Sequence, residues 1–144
     1  MIAWGCRLAD SVRHRARLRR WSPDQAAGRR GEDLAHRHLE RQGFIVVARN
    51  YRPPGGDCEI DLVAWDGGTL VFVEVKSRRS DEYAAPDRNI GEEKRRALIR
   101  AARGYARRAE VPWECVRFDV VSVVLAAPPV FTHVRDAFRV TPTL

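Results

Sequence analysis

Alternating apolar and polar residues predict a β-hairpin between Glu59 and Lys76. Two runs of period two flank Asp66-Gly67-Gly68, a sequence that is typical of tight hairpin turns. With Gly67 and Gly68 as the loop, three apolar pairs fall on one face: Ala64 with Val71, Leu62 with Val73, and Ile60 with Val75. We expect this face to be buried, because all three pairs are apolar. A register shifted by one residue would instead place acidic side chains opposite core residues.

Helical spacing and β-branched runs predict the remaining elements. Ser22-Pro23-Asp24-Gln25 is typical of a helix start, and this helix should end near Gln42, before Gly43. A second helix is predicted at Glu92–Ala109, and further strands at Phe44–Asn50, Cys115–Leu125 and Val130–Phe138. The resulting order, α-β-β-β-α-β-β, indicates an α/β fold in which helices flank a mixed sheet.

Length and charge predict one domain with a basic extension. The 144 residues suffice for a single core, which we place at residues 22–144. Residues 1–30 hold eight Arg and two Asp, so +6 of the net charge of +7 lies there. Residues 1–21 are therefore predicted as a basic extension, disordered or helical, that could also bind nucleic acid or a membrane surface. A long polar loop is predicted from Ser77 to Ile90.

Composition argues against several classes of protein. No apolar run approaches the length of a membrane span, so we expect no integral membrane contact. The three cysteines, Cys6, Cys58 and Cys115, are too widely spaced to indicate a zinc ribbon or a disulfide framework. This usage of cysteine favours a cytoplasmic protein.

Acidic side chains gather on the second face of the hairpin. There Asp61 should lie opposite Glu74, and Glu59 opposite Lys76. Facing carboxylates repel each other, and a partly buried pair needs a proton or a cation. Three acids around one Lys would hold a hard divalent cation such as Mg²⁺. The alternative is a solvent-facing ladder of ion pairs in which the acids are hydrated.

Lysine is rare in this chain. Of 26 basic residues 24 are Arg, which leaves Lys76 and Lys94. Arg is a planar fork with a fixed charge, whereas Lys is a compact point charge, so Lys76 suggests a chemical requirement that Arg would not meet. Lys94 lies one helical turn before Leu98, on the predicted core stripe of the second helix.

The two helices carry further candidate residues. Glu32 shares a helical stripe with Gly28, Ala35 and Leu39, and it is either a fourth acid directed at the hairpin or an edge residue paired with a nearby Arg. A basic stripe on the second helix is either a phosphate contact or a solvated face. It consists of Arg96, Arg100, Arg103 and Arg107. On the fourth strand, Arg117 and Asp119 share a face and are expected to pair.

Five motifs, in this order, resemble the YraN-like family, small bacterial proteins regarded as endonucleases. They are Gly28-Arg29-Arg30-Gly31-Glu32, Glu59-Ile60-Asp61-Leu62, Phe72-Val73-Glu74-Val75-Lys76-Ser77-Arg78, Lys94, and Arg117-Phe118-Asp119-Val120. Any one motif is weak, but the ordered set is specific and covers roughly residues 25–138. One departure is Cys58, where the family usually has Gly.

The same residues resemble the PD-(D/E)xK nuclease superfamily, which has the restriction-endonuclease-like fold. An acid on one strand followed by Glu-x-Lys on the next is its signature, here Asp61, Glu74 and Lys76. Archaeal Holliday-junction resolvases share this core arrangement. By that analogy alone, the substrate would be DNA, branched or duplex, and the protein could form a homodimer.

The resemblance implies a metal-dependent endonuclease. Asp61, Glu74 and the Val75 carbonyl would hold Mg²⁺ or Mn²⁺. Glu32 would orient a water molecule or hold a second ion, Lys76 would stabilise charge in the transition state or position the attacking water, and Glu59 would tune Lys76 or assist metal binding. Phosphate contacts would come from Arg78, Lys94, Arg96, Arg100, Arg103 and Arg107. The alternative is a non-catalytic nucleic-acid-binding module on the same fold.

Overall fold

Two α-helices flank a five-stranded mixed sheet in the computed structural model, which describes residues 22–56, 58–80 and 90–139. The helices are α1 (Pro23–Arg41) and α2 (Glu92–Arg108), and the strands are β1 (Ile45–Tyr51), β2 (Ile60–Asp66), β3 (Thr69–Arg79), β4 (Val116–Leu125) and β5 (Val130–Val134). A short 3₁₀ helix, Trp113–Cys115, precedes β4. The predicted order α-β-β-β-α-β-β is therefore confirmed. No helix within these ranges combines the length and apolar character needed to cross a membrane.

The strands lie in the order β1-β2-β3-β4-β5. Only β3 and β4 run parallel, and the other neighbouring pairs are antiparallel. A parallel pair requires a long crossover connection, which α2 provides. Because of this crossover, α2 begins at the edge of the sheet where β3 ends.

The predicted hairpin register is confirmed as far as Leu62. Asp66 pairs with Thr69, and Leu62 pairs with Val73, as a two-residue loop at Gly67-Gly68 requires. Gly67 has a φ of 57°, the left-handed conformation that such a loop demands at its first position. Beyond Leu62 and Val73, the described strands β2 and β3 no longer pair regularly.

Both faces of the sheet are buried, each against one helix. On the α1 face, Ala35 and Leu39 of the helix pack on a cluster from the strands, which includes Leu62, Ala64, Val71, Val73, Val121 and Val123. On the α2 face, Leu98, Ala101 and Ala102 pack on a second cluster, which includes Val63, Leu70, Phe72, Phe118 and Val120. The sheet is thus the middle layer of three, and burial extends to the face that carries the acids.

Ile60 was predicted on the wrong face. It belongs to the cluster on the α2 face, whereas Val75 packs on the α1 face. Its partner on β1 is Tyr51, whose ring meets that of Tyr105 in α2 at 5.0 Å. Asn50, directly before Tyr51, has a φ of 51°, and this left-handed residue interrupts the alternation of β1. The two paired strands therefore change face together.

Two other boundaries differ by more than one residue from those predicted. β3 continues to Arg79 rather than giving way to a loop at Ser77, because its parallel pairing with β4 extends to Arg79 and Leu125. β5 ends at Val134 rather than at Phe138, because the chain turns at Asp136, which has a φ of 52°. The predicted extension at 1–21 and most of the predicted loop, residues 81–89, lie outside the described residues.

Gly31 allows α1 to approach β3 closely. A Cβ atom added there would lie 1.6 Å from Ser77 Oγ and 2.8 Å from Ser77 Cβ, so no larger residue fits without movement. A Cβ added to Gly28, which lies on the predicted stripe of α1, would meet nothing within 4 Å. Gly31 rather than Gly28 therefore sets the distance between helix and strand, and Glu32 follows it directly.

We predict opposite effects of alanine at these two glycines. Gly31→Ala should lower the free energy of unfolding by about 1–3 kcal/mol, because it overpacks the contact with Ser77. Gly28→Ala should raise it by about 0.5–1 kcal/mol, since alanine favours a helix interior. Urea denaturation of both variants measures the difference, and equal effects would contradict the close approach at Gly31.

Candidate functional site

The acidic residues meet where the regular pairing of β2 and β3 ends. At this point the Val75 N–H donates a hydrogen bond to Asp61 Oδ2 at 2.8 Å. The Asp61 side chain thus accepts the hydrogen bond that a backbone carbonyl of β2 would accept if the ladder continued. The bond fixes the Asp61 carboxylate beside the residue that precedes Val75, which is Glu74.

Glu74 is a buried carboxylate with one compensated oxygen. Its Oε1 contacts Lys94 Nζ from the first turn of α2, while its Oε2 is buried without a hydrogen-bond partner. A small cavity beside it is lined by apolar residues that include Ile60, Ile90 and Leu98. An unpaired charged oxygen in such surroundings is costly, so the site would gain from a cation.

Glu32 and Glu59 extend the acidic group. One carboxylate oxygen from each, together with one from Asp61, lie within 4.8 Å of one another. Arg29 stands beside both glutamates, 3.1 Å from Glu32 and 4.0 Å from Glu59. Both interpretations of Glu32 therefore apply at once: it points at the hairpin, and it pairs with a nearby Arg.

The electrostatics of the site disfavour its full ionisation. Burial, together with the neighbouring charge of Glu74, raises the pKa of Asp61 to about 8, although the Val75 N–H opposes this shift. Burial also raises the pKa of Glu32, and Arg29 offsets part of the effect. Burial alone would lower the pKa of Lys94, but the hydrogen bond to Glu74 raises it overall. Burial and the closeness of the acids to one another thus oppose full ionisation of the group.

The two lysines occupy different positions at this site. Lys94 places its ammonium on Glu74, and its contact with phosphates stays a prediction. Lys76 lies two residues after Glu74, on the same side of β3, and is half-buried. The expected opposition of Glu59 and Lys76 stays a prediction, because the regular ladder ends earlier. Glu59 accepts a hydrogen bond of 2.8 Å from Arg52.

The predicted basic stripe is an exposed row on α2. All four arginines are exposed, namely Arg96, Arg100, Arg103 and Arg107. Arg96 pairs with Glu92 at 2.8 Å, and Arg103 lies 4.5 Å from the centre of the Trp113 ring. Arg78 is half-buried near the end of β3. This geometry permits phosphate contacts, and the role of these residues stays a prediction.

Sequence reasoning missed an ion pair that supports the acidic group. Asp33, which is almost fully buried, accepts a hydrogen bond of 2.7 Å from Arg49 of β1. Arg49 also lies 3.9 Å from Glu32 and thus connects the strand to the helix that carries both acids. A charged residue inside an otherwise apolar strand was the available signal, since such a residue needs a partner on the facing helix.

A second polar network lies on the α1 face around Asp119. The predicted pair is confirmed: Arg117 donates to Asp119 through Nε at 2.8 Å and through a second nitrogen at 2.9 Å. His133 at 2.7 Å and the Asp136 N–H at 3.0 Å complete its partners. Burial would raise the pKa of Asp119, but the hydrogen bonds from His133 and Arg117 lower it overall. This network is fully satisfied, unlike the acidic group.

We predict that the unfavourable charge on Asp61 is visible in stability. The pKa of Asp61 is higher in the folded chain than in the unfolded chain. The stability that depends on protonated Asp61 is therefore fully present below about pH 4 and is lost as the pH rises towards about 8. Asn cannot ionise, and its amide oxygen can still accept the Val75 N–H. In chelator-treated protein, the stability of Asp61→Asn relative to wild type should therefore increase by at least about 1 kcal/mol between about pH 4 and about pH 9.

Denaturant titrations across this pH range measure the difference, with Glu40→Gln as the control. Glu40 is an exposed carboxylate on α1 that pairs with His36, so its variant should show no comparable rise across the upper part of the range. If the difference in stability between Asp61→Asn and wild type stays constant with pH, the raised pKa of Asp61 is contradicted.

This chain is similar to known proteins over most of its length. A model described as "Uncharacterised protein family UPF0102" matches residues 31–123. A UPF0102 protein of Solibacter usitatus is 56% identical over 122 residues, which are 85% of this chain and 92% of that protein.

More distant relatives carry the same description. A UPF0102 protein of Koribacter versatilis is 41% identical over 112 residues, or 77% of this chain and 78% of the relative. One of Geobacter sulfurreducens is 41% identical over 114 residues, or 78% of this chain and 88% of the relative. The resemblance to the YraN-like proteins is thereby confirmed at the level of the family, and the chain belongs to the UPF0102 family.

Proposed function

We propose that this protein is a metal-dependent endonuclease that hydrolyses phosphodiester bonds in nucleic acid, with DNA as the expected substrate. One observation carries the proposal: the buried Glu74 and the partly buried Asp61 form an acidic pair that the chain compensates only in part. Glu74 Oε2 has no hydrogen-bond partner, and the pKa of Asp61 is raised to about 8. Strongly perturbed carboxylates of this kind are typical of functional sites.

The residues present suit a hard divalent cation. The candidate ligands are carboxylate oxygens, which favour Mg²⁺ or Mn²⁺ over softer metals. Asp61 and Glu74 would hold the ion together with the Val75 carbonyl, and Glu32 and Glu59 are near enough to Asp61 to assist. When bound, such a cation polarises the scissile phosphate and lowers the pKa of the attacking water.

The chain's own groups would complete the chemistry. Glu32, with its raised pKa, would accept a hydrogen bond from the attacking water and orient it. Lys76, on the same side of β3 as Glu74, would stabilise the negative charge that develops on the phosphate. The exposed Arg row on α2 would hold neighbouring phosphates without reading the base sequence.

The arrangement of elements supports the restriction-endonuclease-like fold as part of the same proposal. The acid on β2 and the Glu-x-Lys motif on β3 lie on adjacent strands at the centre of a mixed sheet. α1 contributes Glu32 from one side, and α2 contributes Lys94 from the other. Four elements, α1, β2, β3 and α2, thus supply the site in the order that the resemblance implies.

Metal binding tests the proposal directly. Mg²⁺ or Mn²⁺ titrated into wild type in a calorimeter should give saturable binding, and Asp61→Asn and Glu74→Gln should abolish it because each removes a ligand charge. Glu40→Gln, which removes an exposed carboxylate elsewhere on α1, should bind like wild type. Binding that survives in Asp61→Asn would place the cation elsewhere and reject this site.

Cleavage of branched and duplex DNA tests the reaction itself. Asp61→Ala and Lys76→Ala should each reduce the rate by roughly 100- to 1,000-fold, as loss of a group that stabilises the transition state does. Circular dichroism should show that both variants retain their fold. Cleavage at the wild-type rate in either variant would remove that residue from the mechanism.

A non-catalytic nucleic-acid-binding module is the second candidate. The observation that favours it is the contact of Lys94 with Glu74, because the protein's own ammonium already compensates one carboxylate oxygen. In that case the protein would bind DNA, the calorimeter would detect no cation binding, and none of the substrates would be cut.

A further inference from the structure

We propose that Lys94 is the exchangeable counter-ion of Glu74: its ammonium holds Glu74 in the metal-free protein and leaves it when a divalent cation binds. This inference rests on the metal-dependent activity proposed above and adds a coupling between cation binding and the release of a lysine. Its basis is the contact between Lys94 Nζ and Glu74 Oε1.

The two partners differ greatly in exposure. The Glu74 side chain is 8% exposed, whereas that of Lys94 is 52% exposed. The carboxylate is fixed inside the sheet layer, but the ammonium reaches it from solvent on a flexible four-carbon stem. Lys94 can therefore return to water, since a hydrated ammonium is its favoured state. Glu74 has no such freedom.

Lys94 also leaves half of its partner uncompensated. A single ammonium covers Glu74 Oε1, and Oε2 remains buried without a hydrogen-bond partner. An Arg at this position could engage both oxygens with its planar fork and close the site. A buried ion pair with one orphaned oxygen gains little net free energy, so a divalent cation can compete with it.

The acids at the rim have a different kind of partner. Arg29 serves Glu32, and Arg52 serves Glu59. Among the described residues, the cation that touches the inner acid Glu74 is a lysine, although the chain uses Arg for 24 of its 26 basic residues. The structure thus pairs arginines with the outer acids and a lysine with the inner one.

Release of Lys94 would have a consequence for substrate binding. Lys94 stands two residues before Arg96, in the first turn of the helix that carries the basic row. Once free of Glu74, its ammonium lies on the face of α2 opposite that row and stays next to the acidic site, where it can meet a phosphate bound there. Cation and nucleic acid would then favour the same released state of Lys94, and each should strengthen the binding of the other.

Calorimetric titration of Mn²⁺ into chelator-treated protein tests this exchange. Lys94→Met removes the competitor and should tighten Mn²⁺ binding by about tenfold, the factor that 1.4 kcal/mol represents. Lys94→Arg keeps the charge but grips both oxygens, and it should weaken binding by a similar factor. The control is Arg95→Met, which removes a neighbouring charge on the same turn while Met retains contact with the Phe138 ring. It should bind like wild type.

Thermal melts supply a readout that does not involve catalysis. Without metal, Lys94→Met should melt below wild type, because Glu74 loses its counter-ion, and Mn²⁺ should raise its melting temperature by more than it raises that of wild type. If Lys94→Met binds Mn²⁺ no more tightly than wild type, or if Lys94→Arg binds it as tightly, the exchange is wrong while the metal site stands. If wild type binds no cation, the proposed function fails and the exchange fails with it.

Discussion

The hydrogen bond from the Val75 N–H to the Asp61 carboxylate is the interaction on which the acidic site depends. It satisfies a backbone donor of β3 at the point where regular pairing with β2 has ended. A carboxylate fixed in this way cannot move away from Glu74, the residue that precedes Val75 on β3. Two carboxyl groups are therefore confined within the covered sheet, and Glu32, Arg29 and Lys94 lie around them.

Two buried aspartates in the same sheet show what full compensation looks like. Asp119 receives two hydrogen bonds from Arg117 and others from His133 and the Asp136 N–H, and its pKa is lowered overall. Asp61 has the Val75 N–H on its Oδ2 and an acidic neighbour, and its pKa is raised. A fold that can satisfy one buried acid so completely has not done so for the other. An acid whose ionisation lowers the stability of the fold is expected where a ligand supplies the missing positive charge.

Local patterns predicted most of the fold and the face on which the acids lie. The hairpin register and the start of α1 follow from short-range chemistry, namely the turn at Gly67-Gly68 and the capping box at Ser22. The errors arose where distant contacts decide. Ile60 lies on the face opposite to the predicted one, where it pairs with Tyr51, and no pattern indicates that Asn50 before it adopts a left-handed conformation.

The same limit applies to the candidate site. Helical periodicity placed Glu32 on the correct stripe of α1, but it could not distinguish Gly28 from Gly31 as the residue that touches β3. Lys94 was predicted on the core stripe of α2, yet its contact with Glu74 depends on how the crossover helix lies on the sheet. Both contacts are set by packing between elements far apart in sequence, which spacing within one element does not encode.

The distribution of Arg and Lys follows from what each cation must do. Where the structure needs a permanent ion pair, it uses Arg, as in Arg49 with Asp33 and Arg117 with Asp119. A guanidinium holds two oxygens at once and makes such pairs rigid. Both lysines lie beside Glu74, one on β3 and one on α2. A lysine ammonium on a flexible stem is a cation that a site can release. A lysine on Glu74 is therefore what the proposed exchange between Lys94 and a divalent cation requires.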